Sequence, residues 1–155
     1  MAKPLTGQCF CGAVKYHLAA KPMFVNCCHC TDCQRQTSSA FAINGVIEER
    51  HVKIVKGKPV AISMKTDSGH PHDIYRCGEC QTALWSDYGR RKAIRFVRVA
   101  TLDKPGAFPP QAHIFTRSKL PWVTLPRGVA VFKVYYNMQK VWPAASLKRR
   151  AALGV

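Results

Sequence analysis

Eight cysteines, all between Cys9 and Cys80, fall into three groups. They are Cys9-Phe10-Cys11-Gly12, Cys27-Cys28-His29-Cys30-Thr31-Asp32-Cys33 and Cys77-Gly78-Glu79-Cys80. A Cys-x-x-Cys pair on a tight turn is a zinc knuckle, because the intervening backbone lets both sulfurs reach one ion. Gly78 eases such a turn. Cys9 and Cys11 can join Cys77 and Cys80 in a tetrahedral site of four thiolates, tying the N-terminal part of the chain to a much later one. In the middle group Cys28, Cys30 and Cys33 put three sulfurs within six residues. One ion can take all three and keep a fourth position open. A closed four-cysteine site is structural, whereas three protein ligands plus an exchangeable position is the catalytic pattern. Cys27 is then the spare cysteine, since neighbouring residues on a strand point to opposite faces. Two other readings stay open. Eight cysteines satisfy the parity of a disulfide framework, and the middle group forms a second structural site if His29, His51, His70, His72 or His113 supplies its fourth ligand.

The elements that must position these groups read mostly as strands. Val14, Tyr16 and Leu18 alternate with Lys15 and His17. Val52 and Ile54, then Val60, Ile62 and Met64, alternate on either side of Lys56-Gly57-Lys58-Pro59, a hairpin pattern. Arg91 to Val99 reads as a strand with charged interruptions, and Val129 to Tyr136 as another. Gly69-His70-Pro71, Lys104-Pro105-Gly106 and Pro109-Pro110 mark loops. The stretch from Gln139 to Leu153 suits a short helix, broken by Pro143. Many short strands and turns predict a small, mainly β fold of antiparallel sheets with few short helices, stapled by metal.

The chain has 155 residues, 47% of them hydrophobic and 21% charged, which is ordinary for one globular domain and excludes a disordered chain. No linker rich in Gly, Ser or Pro divides it. We expect a zinc-binding β domain over residues 1–136 and a basic C-terminal tail over 137–155. No run approaches 18 apolar residues, so no transmembrane helix is expected. Met1 to Gln8 has no apolar core of a signal peptide, which predicts a cytoplasmic protein with reduced cysteines. The formal net charge is +16. Two zinc ions on seven thiolates would still leave about +13. Acidic residues stop at Asp103, and nine Lys or Arg follow.

The chain resembles the glutathione-dependent formaldehyde-activating enzymes, a group that also includes the centromere protein V-like proteins. The resemblance rests on Gly7-Gln8-Cys9-Phe10-Cys11-Gly12-Ala13-Val14-Lys15-Tyr16, Cys28-His29-Cys30-Thr31-Asp32-Cys33-Gln34-Arg35, Phe41-Ala42 and Cys77-Gly78-Glu79-Cys80. Thr101-Leu102-Asp103-Lys104-Pro105, His113-Ile114-Phe115 and Pro121-Trp122 follow in order, so it covers roughly residues 5 to 128. It implies a zinc-stapled β-tent fold. It also implies a structural zinc on Cys9, Cys11, Cys77 and Cys80, and a functional zinc on Cys28, Cys30 and Cys33. The chain departs from the family pattern at Gln81 and at Thr37-Ser38, where the family usually has a glycine after the last knuckle cysteine and a Thr-Gly pair.

The implied reaction joins the thiol of glutathione to formaldehyde, giving S-hydroxymethylglutathione, a carbon–sulfur lyase-type activity. A free thiol with a pKa of about 8.5 is mostly protonated at neutral pH, and zinc deprotonates a bound thiol. No general acid is evident in the sequence. Alternation aims His29 away from the metal, His113 is a possible pocket residue, and His70 and His72 fall in an expected exposed loop. A basic pocket would attract glutathione's two carboxylates, with Arg35, Arg76, Arg90, Arg91 and Lys92 as candidates. The alternative function is a zinc-stabilised, non-catalytic module that grips nucleic acid. It would use the five basic residues of Arg90–Arg98 around Phe96, and Lys148-Arg149-Arg150. The sequence favours a small thiol partner over nucleic acid and carries no signal of oligomeric state. Trp122, Trp142 and Tyr135-Tyr136 suit a core or an interface equally.

Overall fold

Short alternating runs separated by turns become eleven strands and three α-helices among the described residues, 5–155, of the computed structural model. In chain order these are β1 (Leu5–Gln8), β2 (Lys15–Leu18), β3 (Phe24–Cys28), α1 (Thr31–Thr37), β4 (Ala42–Glu48), β5 (Val52–Lys56) and β6 (Val60–Met64). They continue with β7 (His72–Arg76), β8 (Ala83–Tyr88), β9 (Ile94–Arg98), β10 (Ala112–Ile114), β11 (Ala130–Val131), α2 (Met138–Val141) and α3 (Ala144–Ala151). Residues 1–4 of the N-terminal stretch read for a signal peptide lie outside the described residues. Among the described residues no helix is long and apolar enough to cross a membrane.

The strands form two sheets. A three-stranded antiparallel sheet has the order β1-β2-β5, and an eight-stranded sheet has the order β11-β10-β3-β4-β9-β8-β7-β6. The fold is mainly β, as the alternation predicts. One departure from antiparallel pairing is β10, which runs parallel to both β3 and β11.

The eight-stranded sheet separates two cores. On one face Val25, Ile47, Trp85 and Val97 pack with Val14, Tyr16 and Leu18 of the small sheet, and with Cys9 and Cys77. On the other, Phe24, Val46 and Ile94 pack with Cys28 and Cys33, and with Tyr136 and Trp142 from the C-terminal segment. Alternation along β3 sends Phe24, Asn26 and Cys28 to one side, and Val25 and Cys27 to the other.

Two strand expectations need correction. Residues 52–64 do not form a hairpin: β5 pairs with β2 of the small sheet, whereas β6 pairs with β7 at the edge of the large one. The Gly57 turn carries the chain between sheets instead of folding it back. Gly57 has φ +74°, and a Cβ there would lie 2.3 Å from the Ala13 carbonyl oxygen, so only glycine fits. The predicted strand over 129–136 is regular only at Ala130–Val131. Its partner β10 ends at Ile114, because Phe115 takes a left-handed backbone (φ 54°) and a 3-10 turn follows. Beyond that point the ribbon continues irregularly, with Phe115 N–H donating to Val134 O and Phe132 N–H to His113 O.

Pro143 divides the C-terminal helix where expected, into α2 and α3. The segment is not a loose tail. Ser146 Oγ donates to Met23 O, and the Arg149 guanidinium pairs with the fully buried carboxylate of Glu48, with Nε to Oε1 at 2.8 Å. Trp142 is buried and stacks on Phe24 at 5.4 Å; Tyr136 is buried beside it, while Trp122 and Tyr135 are exposed.

Candidate functional site

Cys9 follows β1, Cys11 sits in the turn before β2, and Cys77 and Cys80 occupy the turn between β7 and β8. The fold brings all four sulfurs within 4.8 Å of one another. Cys9 and Cys11 lie 3.6 Å apart and Cys11 and Cys77 3.8 Å apart. A tetrahedral zinc with bonds near 2.3 Å requires sulfur–sulfur edges of about 3.8 Å, so the donor set fits. The loops turn as knuckles do: Gly12 N–H donates to Cys9 O, and Gln81 N–H to Cys77 O. Val14 N–H donates to Cys9 Sγ at 3.2 Å. The Thr82 hydroxyl lies 3.1 Å from Cys80 Sγ and is the main reason that this thiol is held down to about 5. Gln81 has φ +61°, so the position where the family usually has glycine keeps a glycine-like backbone with a bulkier residue.

Cys28 ends β3, and Cys30 caps α1, with Cys33 N–H donating to Cys30 Sγ at 3.3 Å. The three sulfurs of Cys28, Cys30 and Cys33 also lie within 4.8 Å of one another, and among the described residues no fourth His, Cys, Asp or Glu belongs to the group. The thiols compete for a single negative charge. Hydrogen bonds from Cys28 and Cys33 push the Cys30 thiol far down, and the contact with Cys30 pushes Cys28 far up. A cation among the sulfurs removes that competition, which is what such a donor set is suited to. Helix α1 is closed by Thr37, whose hydroxyl donates to Cys33 O at 2.8 Å, and by Ser38 in a left-handed conformation (φ 51°). Here too a non-glycine residue takes a left-handed backbone at a position where the family usually has glycine.

The two groups differ in what lies beside them. Cys30 and Cys33 line a cavity of about 800 Å³. Its floor is the inner face of the large sheet, and strand register orders that face into rows. Asn26, Asn44 and Arg98 are neighbours across β3, β4 and β9, next to the sulfurs. One step further along the strands, Phe24, Val46 and Phe96 are neighbours in the same way. Arg98 is buried. It bonds Asn44 Oδ1 and donates through Nη2 to Gln36 Oε1 at 3.1 Å, while its Nε has no partner. His72 is also buried on the cavity wall, 3.4 Å from Gln36 Nε2. Burial, with the Arg98 charge next in weight, pushes its imidazole down to about 4.

Cys27 lies on the opposite face of β3, buried with His29 and His113. His29 Nε2 is 2.9 Å from His113 Nδ1 and 3.6 Å from Cys27 Sγ. Burial, then the His113 charge, holds His29 down to about 4, and burial also lowers His113. Alternation accounts for this placement of Cys27 and His29. His113 therefore does not line the cavity, because its register partner on β3 is Cys27, not Cys28.

Several basic residues are placed differently from the sequence expectation. Of Arg35, Arg76, Arg90, Arg91 and Lys92, only Arg91 lines the cavity; Arg98, Arg117 and Arg150 supply its other cations. Arg98 shares its face with Phe96 and Ile94 by alternation, a signal legible in sequence, but Arg117 and Arg150 arrive from segments with no motif. His72 is the first residue of β7, not part of an exposed loop, because it pairs with Met64 and Tyr88. The basic stretch around Phe96 is no free stripe: Arg90 pairs with Asp73 at 3.0 Å, Arg95 with Asp87 at 3.2 Å, and Arg98 is buried.

A putative glutathione-dependent formaldehyde-activating enzyme of Halomonas elongata is 25% identical over 126 residues, covering 78% of this chain and 80% of its own. A crystal structure of a Rhodobacter sphaeroides protein aligns with 83% of this chain and 99% of its own, at 19% identity and a TM-score of 0.49. The family model described as glutathione-dependent formaldehyde-activating enzyme matches residues 4–118, the span holding all eight cysteines, and the chain belongs to that family.

Proposed function

We propose that this chain joins the thiol of glutathione to formaldehyde, forming S-hydroxymethylglutathione, at the cavity lined by Cys30 and Cys33 beside Cys28. The observation that carries the reading is the contrast in surroundings: among the described residues the three-sulfur group has no fourth protein donor and two of its members, Cys30 and Cys33, line a cavity that also holds four arginines, whereas no member of the four-sulfur group lines it. In this reading Cys9, Cys11, Cys77 and Cys80 hold a structural zinc, and Cys28, Cys30 and Cys33 hold a functional one. Zinc held by three thiolates would supply the acidity that turns an incoming thiol into a nucleophile at neutral pH. The reading takes the protein as cytoplasmic, where its cysteines and glutathione stay reduced.

The bond changes are those of a carbon–sulfur lyase acting in the adding direction. A sulfur lone pair forms the C–S bond, the carbonyl π pair moves to oxygen, and oxygen takes a proton. The residues beside the sulfurs suit the developing oxygen charge. Arg98 Nε–H is a buried donor without a partner, and Arg98 stands in strand register with Asn44 and Asn26. Neutral at pH 7, His72 accepts from Gln36 Nε2 through Nδ1, which leaves its proton on Nε2 for the cavity. Arg91, Arg117 and Arg150 provide positive charge for glutathione's two carboxylates.

Exchange NMR on equilibrium mixtures of glutathione and formaldehyde tests this. The zinc-loaded protein is expected to accelerate interconversion of free thiol and adduct, and Cys33→Ser to abolish the acceleration. Exchange at the uncatalysed rate with fully zinc-loaded protein would refute the reading.

A further inference from the structure

The cavity holds more than glutathione and a one-carbon aldehyde need. Its polar row lies beside the sulfurs, and its apolar row, Val46 and Phe96, lies two residues, or about 7 Å, further along the strands. Facing that second row is a wall from the C-terminal segment, where Tyr135, Met138 and Trp142 all line the cavity. This wall lies wholly beyond the span matched by the family model, which ends at residue 118.

The wall is built, not draped. Trp142 Nε1–H donates to the Tyr136 hydroxyl at 2.8 Å, and that hydroxyl donates to Asn26 Oδ1 at 2.9 Å, so wall and polar row share one hydrogen-bond chain. Trp142 stacks on Phe24 with 9° between ring planes. Helix α3 is pinned behind it by Ser146 and by the Arg149–Glu48 pair. Preorganised apolar surface of this kind costs little further ordering when a ligand covers it. Glutathione is polar or charged over most of its length and finds matching groups in the polar row and in Arg91, Arg117 and Arg150. Formaldehyde carries no substituent that could fill an apolar compartment.

Extending the reaction proposed above, we infer that the site also takes an aldehyde bearing an aromatic or branched alkyl group, which lies between Phe96 and the Trp142–Met138 wall. The chemistry is unchanged and balanced. The thiol S–H bond breaks and gives up its proton, the C–S bond forms, the carbonyl π pair goes to oxygen, oxygen takes up one proton in exchange, and the product is a hemithioacetal with no change of oxidation state.

A matched pair of aldehydes and a matched pair of alcohols test this with the full-length, zinc-loaded chain. Exchange NMR with glutathione should give kcat/KM at least tenfold higher for 3-phenylpropanal than for propanal. Saturation-transfer NMR titrations without thiol should show 3-phenylpropanol binding at least tenfold more tightly than 1-propanol. Met138→Ala should shrink both preferences at least threefold. Trp142→Phe, which retains the stack on Phe24, should keep most of them even if Trp142→Ala fails to fold. Equal binding of the two alcohols, or acceleration confined to formaldehyde, would overturn the inference and leave the formaldehyde reaction standing. A binding preference with no acceleration of any aldehyde would support the apolar compartment and refute the reaction itself.

Discussion

The two faces of the large sheet each carry a cysteine group, and they are built to opposite ends. On the Trp85 face four sulfurs close on one another between two turns, with Cys9 and Cys77 sealed into the core. On the Trp142 face three sulfurs stand at the end of a strand and the start of a helix, and two of them look into a cavity. Both groups meet the distance requirement of one metal ion. Their difference lies in whether the protein supplies the last ligand, and therefore in whether anything else can approach.

The sharpest way to break this contrast is to remove one sulfur from each group. Cys9→Ser is expected to unfold the protein, since a structural zinc contributes on the order of 10 kcal/mol, comparable to the whole stability of a domain. Cys33→Ser should keep the fold, melt cooperatively and lose one zinc per chain together with glutathione binding. Circular dichroism and elemental analysis on both variants check the pair of outcomes. Equal destabilisation would make both sites structural.

The second prediction sharpens the role of the C-terminal segment on the cavity face. Arg149→Ala leaves the Glu48 carboxylate buried without its partner, and should cost about 3 kcal/mol, the low end for a broken buried pair because Arg149 is one-third exposed. Burial alone raises the Glu48 carboxyl, but the Arg149 guanidinium outweighs it and holds it below its ordinary value. That contribution is present above the unfolded pKa and is lost as pH falls through the folded one. Urea denaturation at neutral pH and in acid measures both the size and the sign.

His72 tests the cavity face a third way. Its folded value of about 4 lies below its ordinary 6.5, so the unfolded chain binds the extra proton between those values. Stability is then complete above pH 6.5 and falls by about 1.4 kcal/mol per pH unit on acidification towards pH 4. His72→Asn should flatten that part of the stability profile at matched zinc occupancy. An unchanged slope would mean that His72 is already charged in the fold.

The smallest effect belongs to the two loops. Ser38, which ends the helix carrying Cys33, and Gln81, which follows Cys80, hold left-handed backbones, a conformation that costs non-glycine residues roughly 1–2 kcal/mol. Ser38→Gly should therefore raise stability by about 1 kcal/mol. Gln81→Gly should gain less, because its side chain donates to Gly78 O at 3.0 Å and that bond is lost. Thermal melts of the zinc-loaded variants check the order.

Much of this was legible from spacing and alternation. The pairing of Cys9 and Cys11 with Cys77 and Cys80 follows from knuckle geometry, and the separation of Cys27 from Cys28 follows from the two-residue period of β3. What escaped the sequence was long-range. The alternation of residues 52–64 is correct for strands but says nothing of partners, so β5 and β6 read as a hairpin although they join different sheets. His72 sits beside Pro71 and reads as loop, yet strand pairing on both sides buries it. The cavity's far wall comes from residues 135–150, whose contacts with β3 and β4 span more than a hundred positions and leave no local pattern.

The claim on which the rest depends is that the Cys28–Cys30–Cys33 group leaves room for one more sulfur. X-ray absorption at the zinc edge, on protein with two zinc ions per chain, measures this directly. The account predicts about 3.5 sulfurs per zinc on average without glutathione and about 4 with it. Four sulfurs before glutathione is added, or a value that glutathione leaves unchanged, would contradict it.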